Sequence, residues 1–270
     1  MSMRRKATVK GSFYPGESSL IEGFIKENMP QEFQPQETKG IMLPHAGYIY
    51  SGRVAVETVA KTKPKEILVI MGPNHTGRGA SFSVYPEGVW ETPLGDIEIA
   101  KELAQKITEN NLLQLDTQAH FYEHSIEVEL PILKYFFKNF KIVPIICSLA
   151  NISVYKEIAK IIYQALREEE VLEKSLIVAS SDMTHYQPQK IACQNDKFVI
   201  EAILNLDTAE FLKRVEEKDV SMCGVAPVGI MLEILQLWGA KNSLLVRYTT
   251  SAERNRDYSS VVGYAGVIFN

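Results

Sequence analysis

The chain has 270 residues, a net charge of -4 and 46% hydrophobic residues, enough for one large α/β domain with a full core and too little to demand two. This composition excludes a disordered chain, and without a clustered basic surface to neutralise phosphates it argues against nucleic acid as a partner. The start, MSMRRKATVKGSFYP, has no apolar run behind its basic residues, and the apolar stretch CGVAPVGIMLEILQLWG is interrupted by Glu233, so neither a signal peptide nor a membrane span is expected and the protein is placed in the cytoplasm.

In chain order, a helical pattern at Glu17 to Glu27 precedes an apolar strand at Gly40 to Pro44. A second helix at Gly52 to Lys61 precedes the strand EILVIMG, ending at Gly72. A strand at Ser81 to Pro86 leads into PEGVWETPLGD, whose Pro and Gly residues suit turns and which reads as an excursion rather than a domain boundary. Helical patterns at Ile97 to Asn110 and His124 to Lys138 follow, then a strand at Phe140 to Cys147, a helix at Val154 to Glu170 and a strand at Ser175 to Ser181. Three more helices, at Gln194 to Leu204, Thr208 to Lys218 and Pro227 to Trp238, precede strands at Asn242 to Thr250 and Val261 to Phe269. Continuous apolar strands between amphipathic helices predict a single α/β domain over residues 1–270, with a mainly parallel central sheet flanked by helices on both faces.

In open parallel sheets the ligand sits beyond the carboxyl ends of the strands. Three of the five histidines lie there: His45 in LPHAGYIYSG, His75 in GPNHTG and His185 in SSDMTHY, the last with Asp182. One histidine after a strand is most often a cap, but several at the ends of neighbouring parallel strands converge within reach of one ion. Cys223, in SMCGVAPVGIMLEILQLWG, precedes an apolar helix whose N-terminus favours the thiolate, the form required for ligation or nucleophilic attack. The three cysteines are widely spaced and odd in number, which fits free thiols in a reducing compartment, and Cys147 and Cys193 read as buried structural residues.

Two imidazoles and one anionic ligand leave open positions on a divalent metal, suited to iron-dependent oxygen chemistry or Lewis-acid hydrolysis. Asp182 and His185 read as a base pair beside the metal, the carboxylate fixing the imidazole tautomer, or either one as a fourth ligand. A competing motif is HFYEH, with His120, Glu123 and His124 in the H-x-x-E-H spacing of inverted zinc metallopeptidases, although Pro131 follows closely and the motif leaves the other histidines and Cys223 unexplained.

The ordered set GSFYPG, LPHAGYIYSG, GPNHTG, ETPLGD, EHSIEVELP, SSDMTHY and MCGVAPVG resembles the Memo family, grouped in prokaryotes as AmmeMemoRadiSam system protein B. The resemblance spans almost the whole chain. It implies a fold similar to class III extradiol ring-cleavage dioxygenases, a non-haem metal held by His45, His75 and Cys223, and Asp182 and His185 lining the same pocket, His185 in the acid/base position. A thiolate then stands where the dioxygenases have a carboxylate, which shifts preference toward copper or zinc. The EHSIE segment becomes a pocket wall, with His124 and Glu127 as hydrogen-bonding groups behind the ligands. Phe13 and Tyr50 take the places of aromatics that form the rim of a phosphotyrosine-peptide pocket in animal members, Phe13 replacing a tryptophan.

Three functions follow as expectations. The first is a metal-dependent oxidoreductase, with iron or copper on His45, His75 and Cys223, a small-molecule substrate, and proton transfer by His185 and Asp182. The second is a metal-containing module that binds a peptide or small anionic ligand at Phe13, Tyr50 and His124 without turnover. The third is metal-assisted hydrolysis with zinc. No nucleic acid or membrane is expected as a partner.

Overall fold

The computed structural model of the chain describes residues 3–270. Its strands are β1 (Arg4–Arg5), β2 (Gly40–Leu43), β3 (Ile67–Pro73), β4 (Phe82–Val84), β5 (Val89–Trp90), β6 (Ile97–Ile99), β7 (Gln114–Leu115), β8 (Lys141–Cys147), β9 (Ser175–Ser180), β10 (His185–Gln187), β11 (Ser243–Thr250) and β12 (Val261–Phe269). The α-helices are α1 (Ser18–Glu27), α2 (Arg53–Ala60), α3 (Lys101–Lys106), α4 (Leu130–Phe137), α5 (Ile152–Glu168), α6 (Gln189–Leu204), α7 (Thr208–Glu217), α8 (Val225–Leu237) and α9 (Ala252–Asn255).

The centre of the sheet runs β6-β8-β3-β9-β2, with every neighbouring pair parallel. β12 joins β2 antiparallel, pairs with β11 along its other edge, and pairs with the short β10 near its start, beyond the end of β2. Helices cover both faces, as the sequence predicts. A side chain at Gly40 would meet Leu235 of α8, whereas one at Gly266 would meet Val54 and Thr58 of α2. Gly40 pairs with Phe269 and Met42 with Val267, so Gly40 and Gly266 have opposite parity and point to opposite faces. β2, β3 and β9 are buried almost throughout, which is why they read as unbroken apolar runs. Helix α8 is buried from Val225 to Leu235, being packed between α5 and the sheet and therefore apolar all round.

Three predicted segments differ from the fold. PEGVWETPLGD is no excursion, because Val89 and Trp90 form β5, parallel to β1 and antiparallel to β6, with Trp90 1% exposed. The pattern from Ile97 to Asn110 opens as a strand, since buried Ile97 and Ile99 flank exposed Glu98 with a period of two, and the helix is limited to Lys101–Lys106. Between His124 and Lys138 the α-helix begins only at Leu130, after a 3-10 turn at Glu127–Glu129, with Pro131 in the first turn where its missing N–H costs nothing.

Candidate metal centre

Register brings the candidate residues together. β2 and β9 pair with Leu43 opposite Ser180, and β9 and β3 pair with Ala179 opposite Met71. His45 and Asp182 therefore each lie two residues past a matched pair, and His75 leaves the adjacent strand at the same edge. Cys223 comes from the loop before α8. The backbone there closes tightly on β9, for the Gly224 N–H donates to Ser181 Oγ at 3.0 Å and a side chain at Gly224 would collide with Ser181 and the Ser180 carbonyl.

The ligating atoms of His45, His75 and Cys223 all lie within 4.8 Å of one another. His45 is 1% exposed, and Cys223 Sγ stands 3.3 Å from His45 Nε2. Each imidazole is fixed through its other nitrogen. The Ser180 hydroxyl donates to the Ser125 carbonyl at 2.8 Å, so its oxygen accepts the His45 Nδ1–H at 2.7 Å. The Glu123 carboxylate accepts the His75 Nδ1–H at 2.9 Å and the His75 backbone N–H at 2.7 Å. Both rings thus present an Nε2 lone pair, with an acceptor behind each ring as metal-binding imidazoles require. Two imidazoles and a thiol in this arrangement fit a divalent transition metal.

A second group, His75, Glu123 and His124, is equally compact. There the donors already satisfy one another, because Glu123 Oε1 also accepts the backbone N–H of His124 and of Ser125. Glu123 therefore acts as the anchor of His75. Burial works to raise its carboxyl, but the His75 ring and the backbone donors bring it down to about 2. Burial likewise works to lower His75, and the bond and charge of Glu123 overcome it, raising the imidazole above its ordinary value. His45 goes the other way: burial, with His75, His124 and His185 nearby, holds it neutral well below its ordinary value.

Cys223 departs from the thiolate expected at a helix N-terminus. Burial first, and then the Asp182 carboxylate, push the thiol well above its usual range despite the Asp182 N–H that donates to Sγ at 3.2 Å. Its sulfur faces His45 Nε2, and ligation of a metal would release the thiol proton. Cys147 is buried as predicted, but Cys193 is only half-buried.

Asp182 and His185 sit beside these ligands without forming the expected pair. Asp182 Oδ1 accepts the His45 backbone N–H at 2.9 Å, and burial lifts its carboxyl to about 6 against that bond. The His185 tautomer is set by Ser221, whose carbonyl accepts the Nδ1–H at 2.8 Å and whose hydroxyl accepts the His185 backbone N–H, also at 2.8 Å. Nε2 of His185 is again the lone pair.

The other predicted residues divide. Phe13, His124 and His75 form a run of rings, with centroids 4.7 Å and 4.8 Å apart, the two imidazoles stacked. Tyr50 lies in a π-helical turn at Tyr48–Gly52 and is 36% exposed, near Tyr264, which also faces Asp182 and Tyr186. Glu127 does not reach the ligands. It binds the N-terminal segment, taking Arg5 Nη1 at 2.7 Å, the Thr8 and Val9 backbone N–H groups at 3.0 and 2.9 Å and the Tyr14 hydroxyl at 2.8 Å.

The H-x-x-E-H reading fails. Residues 120–124 are irregular backbone, a turn end and a bend, rather than a helix, so His120 and His124 are not on one helical face. His120 is buried in T-shaped contact with Tyr85 and Trp90, its Nε2–H donating to the Ser83 carbonyl at 3.2 Å. Sequence reasoning missed Ser180 and Ser221, whose types and spacing carry no signal, and it assigned Glu123 to the wrong partner.

A family profile described as Memo-like protein matches residues 5–268. A protein named MEMO1 family protein from Aquifex aeolicus (strain VF5) is 39% identical over 269 residues, covering 98% of each chain. Another of the same name from Methanococcoides burtonii is 39% identical over 266 residues, covering 98% of this chain and 99% of the relative. Among solved structures, an uncharacterized protein from Escherichia coli K12 superposes with a TM-score of 0.55 at 16% identity, covering 86% of this chain and 100% of that one, a likeness of fold alone. Among the described residues no helix is long and apolar enough to cross a membrane.

Proposed function

The chain belongs to the Memo family, and we propose that its pocket is a non-haem metal centre, with His45, His75 and Cys223 as ligands, that carries out metal-dependent oxidoreduction of a small molecule. The observation that supports this reading is the common setting of three imidazoles. His45, His75 and His185 each spend Nδ1–H on a fixed acceptor, which leaves Nε2 as the nitrogen for a metal or a substrate proton, and His185 is close enough to act on His45 and Asp182. Bound iron or copper would supply redox change and Lewis acidity, whereas zinc would supply Lewis acidity alone.

The chain's own residues divide the remaining work. His185, outside the compact ligand group, accepts a substrate proton at Nε2 while Ser221 holds the ring. Asp182, with a carboxyl held at about 6, exchanges protons near neutrality beside it. Phe13 and His124 wall the pocket, and Tyr50 lies on its rim. The test is oxygen uptake by anaerobically prepared protein loaded with Fe(II), Cu(I) or Zn(II), across a panel of phenols, aromatic diols and thiols. Uptake with iron or copper, none with zinc, and loss in His185→Ala with the metal retained are expected; turnover as fast with zinc contradicts a redox role.

One observation favours a second reading, a metal-containing module that binds a peptide or aromatic ligand without turnover. Tyr50 and Tyr186, both close to the Tyr264 that faces Asp182, are 36% and 79% exposed, and exposed aromatics suit recognition. Ligand affinity that survives exchange of iron for zinc, with no turnover on either metal, would select it.

A further inference from the structure

Glu129 is a buried acid that this chemistry does not use. It closes the 3-10 turn before α4, is 1% exposed, and neither carboxyl oxygen has a hydrogen-bond partner. The ionisable groups that face it are Asp182, in the loop after β9, and Tyr48, in the π-helical turn after β2, and neither is a cation. An ionised carboxylate left in such a place without donors loses its hydration and gains nothing in return, so the neutral acid is favoured. Burial pushes this carboxyl well above the ordinary range, with Ser180 opposing and Asp182 adding to it.

Ser180, the group beside it, is already committed in two directions: its O–H donates to the Ser125 carbonyl and its oxygen accepts the His45 Nδ1–H. A hydroxyl oxygen has two lone pairs, so one remains. A carboxylate cannot use a lone pair, but a carboxylic acid can, because its own O–H is a donor. We propose that Glu129 is a neutral carboxylic acid that donates to Ser180 and thereby positions His45 as a ligand. The Ser125 carbonyl can only accept and the acid donates, so the imidazole is left to donate through Nδ1, which keeps its Nε2 lone pair clear. An ionised Glu129 would instead compete with Ser125 for the single Ser180 hydrogen. Glu129 is thus a positioning residue, and its effect on metal rests on the reading of the centre given above.

The experiment uses the full chain as wild type, Glu129→Gln, which keeps a donor, and Glu129→Met, which has similar length and none. In metal-free protein near pH 7, isotope-edited infrared spectra should show a protonated carboxyl band that Glu129→Gln lacks. Nitrogen-15 NMR should show His45 protonated at Nδ1 in wild type and Glu129→Gln and mixed tautomers in Glu129→Met. Zn(II) affinity should stay within about 3-fold in Glu129→Gln and fall roughly 10–100-fold in Glu129→Met, the range for groups that orient a ligand. No such carboxyl band, or identical His45 tautomers in the Gln and Met variants, overturns the proposal. If Glu129→Met does not fold, the band and the Gln variant still decide it. If wild type binds no zinc, the metal-centre reading fails while the infrared and tautomer results still judge Glu129.

Discussion

Glu123 grips His75 twice, at the backbone N–H (2.7 Å) and at the ring Nδ1–H (2.9 Å). The same carboxylate also takes the backbone N–H groups of His124 and Ser125, so one buried acid fixes both the direction of a ligand and the loop that carries His124. Glu123→Gln places an amide NH2 against these donors. Metal affinity should fall roughly 10–100-fold, and urea unfolding should show a loss of about 2–3 kcal/mol.

The same pair sets a pH dependence. Glu123 is depressed from 4.5 to about 2, so its contribution is present above its unfolded value and lost as pH falls toward the folded one. His75 is raised from 6.5, so its contribution is complete below its unfolded value and lost as pH rises through the folded one. Both are present together between about pH 4.5 and 6.5. The stability gap between wild type and Glu123→Gln, followed by urea unfolding from acid to mildly alkaline pH, should be widest in that window and narrow on both sides.

Arg5 and Glu127 form an ion pair with side chains only 3% and 1% exposed. Replacing Glu127 by Ala strands the guanidinium together with the Thr8, Val9 and Tyr14 donors, and should cost about 3–5 kcal/mol. Because Glu127 touches none of the three ligands, metal stoichiometry should be unchanged in protein that remains folded. Thermal unfolding and metal analysis on the same samples separate the two effects.

How much of this was legible depends on the kind of residue. β2, β3 and β9 stand out because strands buried on both faces are apolar at every position, and strand-end residues such as His45, His75 and Asp182 follow from them. β5 and β6 were hidden because two or three residues make no pattern, and their Pro and Gly neighbours imitate a loop. Glu123 was visible but misassigned: spacing with His120 and His124 implies a common helical face, and only the fold shows irregular backbone there, with the carboxylate turned to His75. The helix N-terminus at Cys223 was read correctly in place, but the burial and the Asp182 carboxylate that oppose its effect on the thiol belong to the fold and leave no trace in the local sequence. Ser180 and Ser221 could not be found, because a serine after an apolar strand or before a cysteine is ordinary until its partner is known.

The approach of Gly224 to Ser181 makes a further test. Gly224→Ala would drive a methyl group into Ser181 and the Ser180 carbonyl, and the backbone of Cys223 must shift to relieve it. A loss of about 1–3 kcal/mol and a reduced metal content are expected. Gly23→Ala, in α1 with nothing near the added methyl, should instead stabilise by about 0.5–1 kcal/mol.

The central claim is that His45, His75 and Cys223 hold one metal ion. The direct measurement is metal stoichiometry by mass spectrometry on anaerobically purified wild type, His45→Ala, His75→Ala, Cys223→Ser and His120→Ala. The account predicts near-stoichiometric iron or copper in wild type and His120→Ala and little in the other three. Metal retained by folded protein after loss of His45 or Cys223, or no metal in any form, would contradict it.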